Sequence, residues 1–149
     1  MKSTDKYNYI FRIFVSLMAG EIIKGVVIAG RKLGRELGFP TANVATSAAL
    51  DAHNGVYAVR VHAAGRCYEG MANLGRRPSV SAADDASDER LLEVNIFGFE
   101  GELYGCLIEV ELCHFIRPEQ RFDTLADLRA AIAADRAAVK EYFALRERH

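Results

Sequence analysis

Most of the chain alternates, and its end does not. EIIKGVVIAG (residues 21–30) sets β-branched pairs around Gly25 and predicts a strand. His53-Asn54-Gly55 is a turn signal, and VYAVRVHA (56–63) alternates after it. Ala64-Gly65 turns the chain into GRCYEGMANLG (65–75), a further strand. SAADDASDER (81–90) is acidic, small and turn-rich, which predicts a mobile surface loop. LLEVNIFGF (91–99) puts Leu92, Val94 and Ile96 on one face and Glu93, Asn95 and Phe97 on the other. Glu100-Gly101 makes the next turn, and LYGCLIEVELCHFI (103–116) predicts a long strand.

From Asp123 the period changes to that of a helix. Thr124, with Asp127 three residues on, resembles a capping box. Leu125, Leu128, Ile132, Val139 and Phe143 recur at helical spacing, with alanines between. Asp135 interrupts that stripe. A buried carboxylate without a partner is costly, so Asp135 is expected to have one. Five or six strands every 8 to 12 residues, with no helices between them, predict a barrel or sandwich rather than βαβ units.

Composition narrows the class. The chain's 149 residues suit one domain, and with 50% hydrophobic residues it needs no disulfide or metal to staple its core. A formal net charge of -1 argues against a general nucleic-acid surface. The three cysteines, Cys67, Cys106 and Cys113, have no CxxC spacing and are expected to be reduced, mostly buried thiols of a cytoplasmic protein. A zinc site built from them with His62 or His114 has no supporting spacing. YNYIFRIFVSLM (7–18) is apolar but broken by Arg12, and too short to span a bilayer. Residues 1–19 are therefore expected to form an accessory helix or strand ahead of a domain at 20–149, with organellar targeting as the alternative.

The chemistry concentrates at GRKLGRELGFPTAN (30–43). Gly25 to Gly30 begins like a phosphate-binding P-loop, but Arg31-Lys32 follows instead of Lys-Ser/Thr, the intervening residues are strand-like, and no helix follows. The dinucleotide fingerprint of a Rossmann fold is also missing. Phosphate can still be held by another route. Gly30, Gly34 and Gly38 let backbone N–H groups turn toward an anion, and Arg31, Lys32 and Arg35 add charge. If the segment after Pro40 is extended, Thr41 and Asn43 point the same way. A hydroxyl and an amide oxygen are hard ligands that Mg²⁺ accepts beside nucleotide phosphates. A solvated, Gly-rich hairpin is the competing reading of the same residues.

GRxLGRxLGFPTAN closely resembles the signature of the riboflavin kinase family, in the form found in the C-terminal modules of bacterial bifunctional FAD synthetases. GVYAVRV, YEGMANLGRRPSV, LLEVNIFGFEGELYG, FIRPEQRF and DLRAAIAAD follow in the family's order, so the resemblance runs from Glu21 to Phe143. It implies a mainly β fold: a six-stranded antiparallel, Greek-key-like closed barrel with one long C-terminal α-helix. It implies transfer of the γ-phosphoryl of ATP to the 5′-hydroxyl of riboflavin, giving FMN and ADP, with Mg²⁺ (or Zn²⁺ or Mn²⁺) as the metal.

The resemblance also implies roles. Thr41 and Asn43 match metal and phosphate ligands, and Gly30 to Arg35 match the phosphate loop. The eukaryotic form has a Lys at the position aligned with Arg35, which makes Arg35 the candidate phosphate contact. Glu93 matches the catalytic carboxylate, which accepts the hydroxyl proton. Without the motif, Glu93 reads as a solvated strand carboxylate. Ile96, Gly98 and Tyr104 match nucleotide-side positions, with a core aromatic as the other reading of Tyr104. Arg117, Gln120 and Phe122 match the flavin-side loop, where a cation and a ring suit a large flat ligand. Asn73, Gly75 and Arg77 are expected to shape the far side of the site. Two departures stand out: Asn95 replaces the His of many relatives, and Ser79 replaces a commoner Thr. The expected partners are riboflavin and ATP, with no nucleic acid and no membrane, in a monomer. The alternative is a non-catalytic flavin- or nucleotide-binding barrel.

Overall fold

The computed structural model describes residues 20–29, 41–46, 50–76 and 89–148. The expectations for residues 1–19, for Gly30 through Arg35 and for residues 81–88 lie outside that range. Among the described residues six strands form: β1 (Glu21–Ile28), β2 (Ala42–Thr46), β3 (Gly55–Ala63), β4 (Arg66–Arg76), β5 (Arg90–Ile96) and β6 (Leu107–Pro118). The helix α1 (Leu125–Glu147) follows β6. The strands close into a barrel in the order β1-β2-β5-β4-β3-β6, every neighbour antiparallel. β3, β4 and β5 run as a meander, while the non-sequential β2–β5 and β3–β6 pairings give the Greek-key pattern. Closure removes every sheet edge, which short strands would otherwise leave open to foreign pairing.

Register decides which residues fill the barrel. Val27, Val44, Leu92 and Leu74 lie opposite one another on β1, β2, β5 and β4 and are all buried. Ile23, Val110 and Val61 make a second buried row across β1, β6 and β3. Gly25 has a packing reason to be small, because a Cβ there would collide with Val44 Cγ1. The alternation predicted for 91–99 holds: Leu92 and Val94 are fully buried in the interior, and Ile96 packs on the same cluster.

β6 departs from simple alternation. Its pairing with β3 slips between Val56 and Tyr57 and again between Ala58 and Val59. Each slip leaves one extra β6 residue, Ile116 and Cys113 respectively, which bends the strand and re-aims its side chains. Cys113 and Ile116 thereby pack outside the barrel in a second cluster with Ala58, Met71, Val139 and Phe143. This is where α1 lies. The helix begins as its sequence predicts, with the Thr124 hydroxyl accepting from the Asp127 N–H at 3.0 Å. Its buried face is Asp135, Val139 and Phe143. Leu125 is 60% exposed, so the apolar stripe engages the barrel only further along.

Three local expectations are corrected. The last strand begins at Leu107, because Leu103 to Cys106 form a turn whose N–H and C=O groups bond to Val27 on β1 and to one another. Arg90 belongs to β5 rather than to a loop, and its guanidinium donates to the carbonyls of Ala52 and Leu50 and to Asn54 Oδ1. Cys67 and Cys106 are exposed and Cys113 is half-buried, so the thiols are free but not mostly buried.

Candidate active site

Glu93 faces out of the barrel because its neighbours Leu92 and Val94 face in. A slip of one residue in β5 would reverse this, and the two buried apolar side chains oppose the slip. Glu93 is directly opposite Asn43 on β2 and Asn73 on β4. The row continues to Ile28 on β1 in one direction, and through Val56 on β3 to Arg117 on β6 in the other. Facing residues on adjacent strands hold their Cβ atoms about 4.5–5.5 Å apart on a common face. The barrel therefore assembles Asn43, Glu93, Asn73 and Arg117, from four separate stretches of sequence, into one transverse line. Glu93 and Asn73 are half-buried in it, so Glu93 is not a freely solvated carboxylate.

Asn43 is 5% exposed although it lies on the outer face. Its Oδ1 is buried and has no hydrogen-bond partner among the described residues. An orphaned carboxamide oxygen costs about 1–3 kcal/mol, which a cation would recover. It is a hard oxygen beside a carboxylate, the donor chemistry Mg²⁺ takes together with water and phosphate oxygens. The residues present therefore fit a magnesium ion. Among the described residues no group of three or more His, Cys, Asp and Glu could hold a metal. A bound Mg²⁺ would draw its other ligands from the Thr41 hydroxyl, phosphate and water. Thr41 lies one residue before β2 and is half-buried.

The nucleotide-side candidates gather at one end of β5 and β1. Ile96 closes β5, and Gly98 follows in a turn with φ 72°, a conformation that favours glycine. Tyr104 is 64% exposed, so the core-aromatic reading is excluded. Gly105 N–H donates to the Val27 carbonyl, placing the Tyr104 turn beside the end of β1. Gly30, Arg35, Arg77 and Ser79 lie outside the described residues.

Of the flavin-side candidates, Arg117 and Phe122 lie together. The Arg117 guanidinium forks onto Asp135, with Nε to Oδ1 and Nη2 to Oδ2 both at 2.8 Å. Nη1 donates to the Pro118 carbonyl at 3.1 Å, and the guanidinium carbon lies 5.6 Å from the centre of the Phe122 ring. Gln120 is exposed and Phe122 half-buried. Glu119 leans over β4, because a Cβ on Gly75 would collide with its Oε1 and would also lie 3.7 Å from Asn73 Nδ2. The 117–122 segment is thus laid against the Asn73–Gly75 stretch, which joins two motifs far apart in sequence. Glu119 gave no signal in the sequence. Asp135 did, as a carboxylate inside an apolar stripe.

This is a small barrel that sets a carboxylate beside a buried amide oxygen with no partner among the described residues. The family model for flavokinase, described as riboflavin kinase, matches residues 20–143. The chain belongs to the riboflavin kinase family. It is 42% identical over 122 residues to the bifunctional riboflavin kinase/FMN adenylyltransferase of Haemophilus influenzae, covering 81% of this chain and 38% of that protein. It is 43% identical over 124 residues to the protein of that name from Escherichia coli K12, covering 83% and 38%. The Bacillus subtilis protein of that name is 38% identical over 122 residues, covering 81% and 38%. The chain thus spans under two fifths of the length of these relatives. A solved structure described as a macrolide-efflux protein from Streptococcus pneumoniae superposes with a TM-score of 0.70 at 32% identity, over 83% of this chain and 40% of that one. Among the described residues no helix is long and apolar enough to cross a membrane.

Proposed function

We propose that this chain is an ATP-dependent riboflavin kinase that makes FMN and ADP. The observation that carries the reading is the line Asn43–Glu93–Asn73, with a carboxylate between two carboxamides on a half-covered outer face. The carboxylate of Glu93 accepts the proton of the ribityl 5′-hydroxyl as its oxygen bonds to the γ-phosphorus. The bond from that phosphorus to the bridging oxygen breaks, and ADP leaves with the electron pair. Thr41 and Asn43 would hold Mg²⁺. When bound, the ion offsets the negative charge of the triphosphate. Asn43 and Asn73 flank Glu93 and fix where its side chain can stand. Ile96, Gly98 and Tyr104 take the nucleotide, together with Gly30 and Arg35. Phe122 and Gln120 face the flavin, and Arg117 supports them.

The same reading takes residues 1–19 as an extension outside the kinase domain, and the protein as a cytoplasmic monomer. The test is incubation with riboflavin, ATP and Mg²⁺, followed by chromatography with fluorescence detection. FMN is the expected product. Bound but unconverted riboflavin would replace the kinase with a flavin-binding module. FAD would reveal adenylyl transfer, the second activity in the relatives' names.

A further inference from the structure

Asp135 stands where the helix pattern calls for an apolar residue. It is 6% exposed, on the face that also buries Val139 and Phe143. Replacing a buried ion pair by packed apolar side chains is often neutral or stabilising, so the pair is poorly explained as a stability device. Its geometry suggests another use. Arg117 is fixed by both carboxylate oxygens of Asp135, and a forked guanidinium has one orientation where an ammonium has many. In that orientation it bonds the Pro118 carbonyl and lies over Phe122, the two ends of the segment that leads from β6 toward α1. Glu119, in the same segment, reaches over Gly75 on β4 beside Asn73, the strand neighbour of Glu93. The 117–122 segment therefore borders the Glu93 row from its β4 side.

We infer that Asp135 is a positioning residue for the flavin: through Arg117 it sets where the Phe122 ring stands and so determines riboflavin affinity. This rests on the kinase reading of the same site. Arg117, with three of its five N–H groups given to Asp135 and Pro118, supports the ring of Phe122.

The experiment compares wild type, Asp135→Asn, Phe122→Ala, the double variant, and Val139→Ala as a control for general helix damage. Steady-state KM for riboflavin and for ATP is measured with the melting temperature and the amide exchange of residues 117–124 without ligand. Asp135→Asn is expected to raise riboflavin KM about 10- to 100-fold, the scale set by a displacement of about 1 Å, with ATP KM held within about twofold. The double variant is expected to cost no more than the larger single effect, because both changes remove one wall. Faster exchange at 117–124 in Asp135→Asn supports the proposal. Val139→Ala is expected to lower the melting temperature and leave riboflavin KM unchanged. Additive effects of Asp135→Asn and Phe122→Ala would overturn the proposal. So would Asp135→Asn behaving like Val139→Ala, with lost stability and an unmoved riboflavin KM. A wild type that forms no FMN would overturn the kinase reading and the flavin assignment with it, and unaltered exchange at 117–124 would separately overturn the positioning.

Discussion

Glu93→Gln separates chemistry from architecture more cleanly than any other change in this chain. The side chain is half-buried on the outer face of β5, between Asn43 and Asn73. Gln keeps its length, its volume and most of its hydrogen-bonding capacity. It has no basic oxygen to take a proton. Loss of a general base typically costs about 10²–10⁴ in rate. That is about 3–5 kcal/mol of barrier at 1.36 kcal/mol per tenfold. The substitution leaves the buried neighbours Leu92 and Val94 untouched, so stability should hold within about 0.5 kcal/mol, or about 1–2 °C in melting temperature. Riboflavin KM should hold within about twofold. Glu93→Asp adds a calibration. It retracts the carboxylate by about one C–C bond, roughly 1.5 Å, and a misplacement of that order costs about 10²-fold. The assay is FMN formation at saturating riboflavin and ATP, with melting curves on the same preparations. A Gln variant that turns over within about threefold of wild type would remove Glu93 from proton transfer, whatever its position in the row.

Asn43→Ala should raise the Mg²⁺ concentration needed for half-maximal FMN formation by at least ~10-fold, because it deletes the buried oxygen that has no partner among the described residues; an unchanged Mg²⁺ titration would argue against Asn43 as a ligand. Leu92→Ala opens a cavity at a fully buried position of the interior row and should cost about 3–5 kcal/mol, roughly 6–20 °C of melting temperature; a loss under about 1 kcal/mol would mean that the row is not the core. Burial, and secondarily the Glu111 carboxylate, push the Cys113 thiol pKa up. Thiolate is the reactive form, so a raised pKa lowers its share at neutral pH. Thiol labelling near pH 7 should find Cys67 and Cys106 fast and Cys113 slow, with Cys113 catching up only as the pH rises past the ordinary thiol range, about 8.5. Three thiols labelled at one rate would contradict that burial.

Much of this molecule is local and could be read along the chain. Alternation placed Leu92 and Val94 together on one face and Glu93 on the other, and a buried interior then fixed which face was in. The helix start was legible because a cap is a short-range hydrogen bond, and Thr124 makes it with Asp127. The identity of the family was legible because its motifs are contiguous strings. Asp135 was legible as an anomaly, since a carboxylate in an apolar stripe needs a partner, but the partner was not, because Arg117 lies 18 residues away on another element. The bulges of β6 left no sequence trace. They are set by how β3 pairs across the closed barrel, and they turn Cys113 and Ile116 outward to receive the helix. Nor could spacing foretell that Asn43, Glu93, Asn73 and Arg117 share one line, because strand order in a Greek key is not chain order. Sequence alone therefore determined most of the elements, the faces of β5 and the chemical groups, while β2 was left conditional and the start of β6 was misplaced. Only barrel closure decided which groups meet, because register between distant strands is fixed by the packing of the whole interior at once.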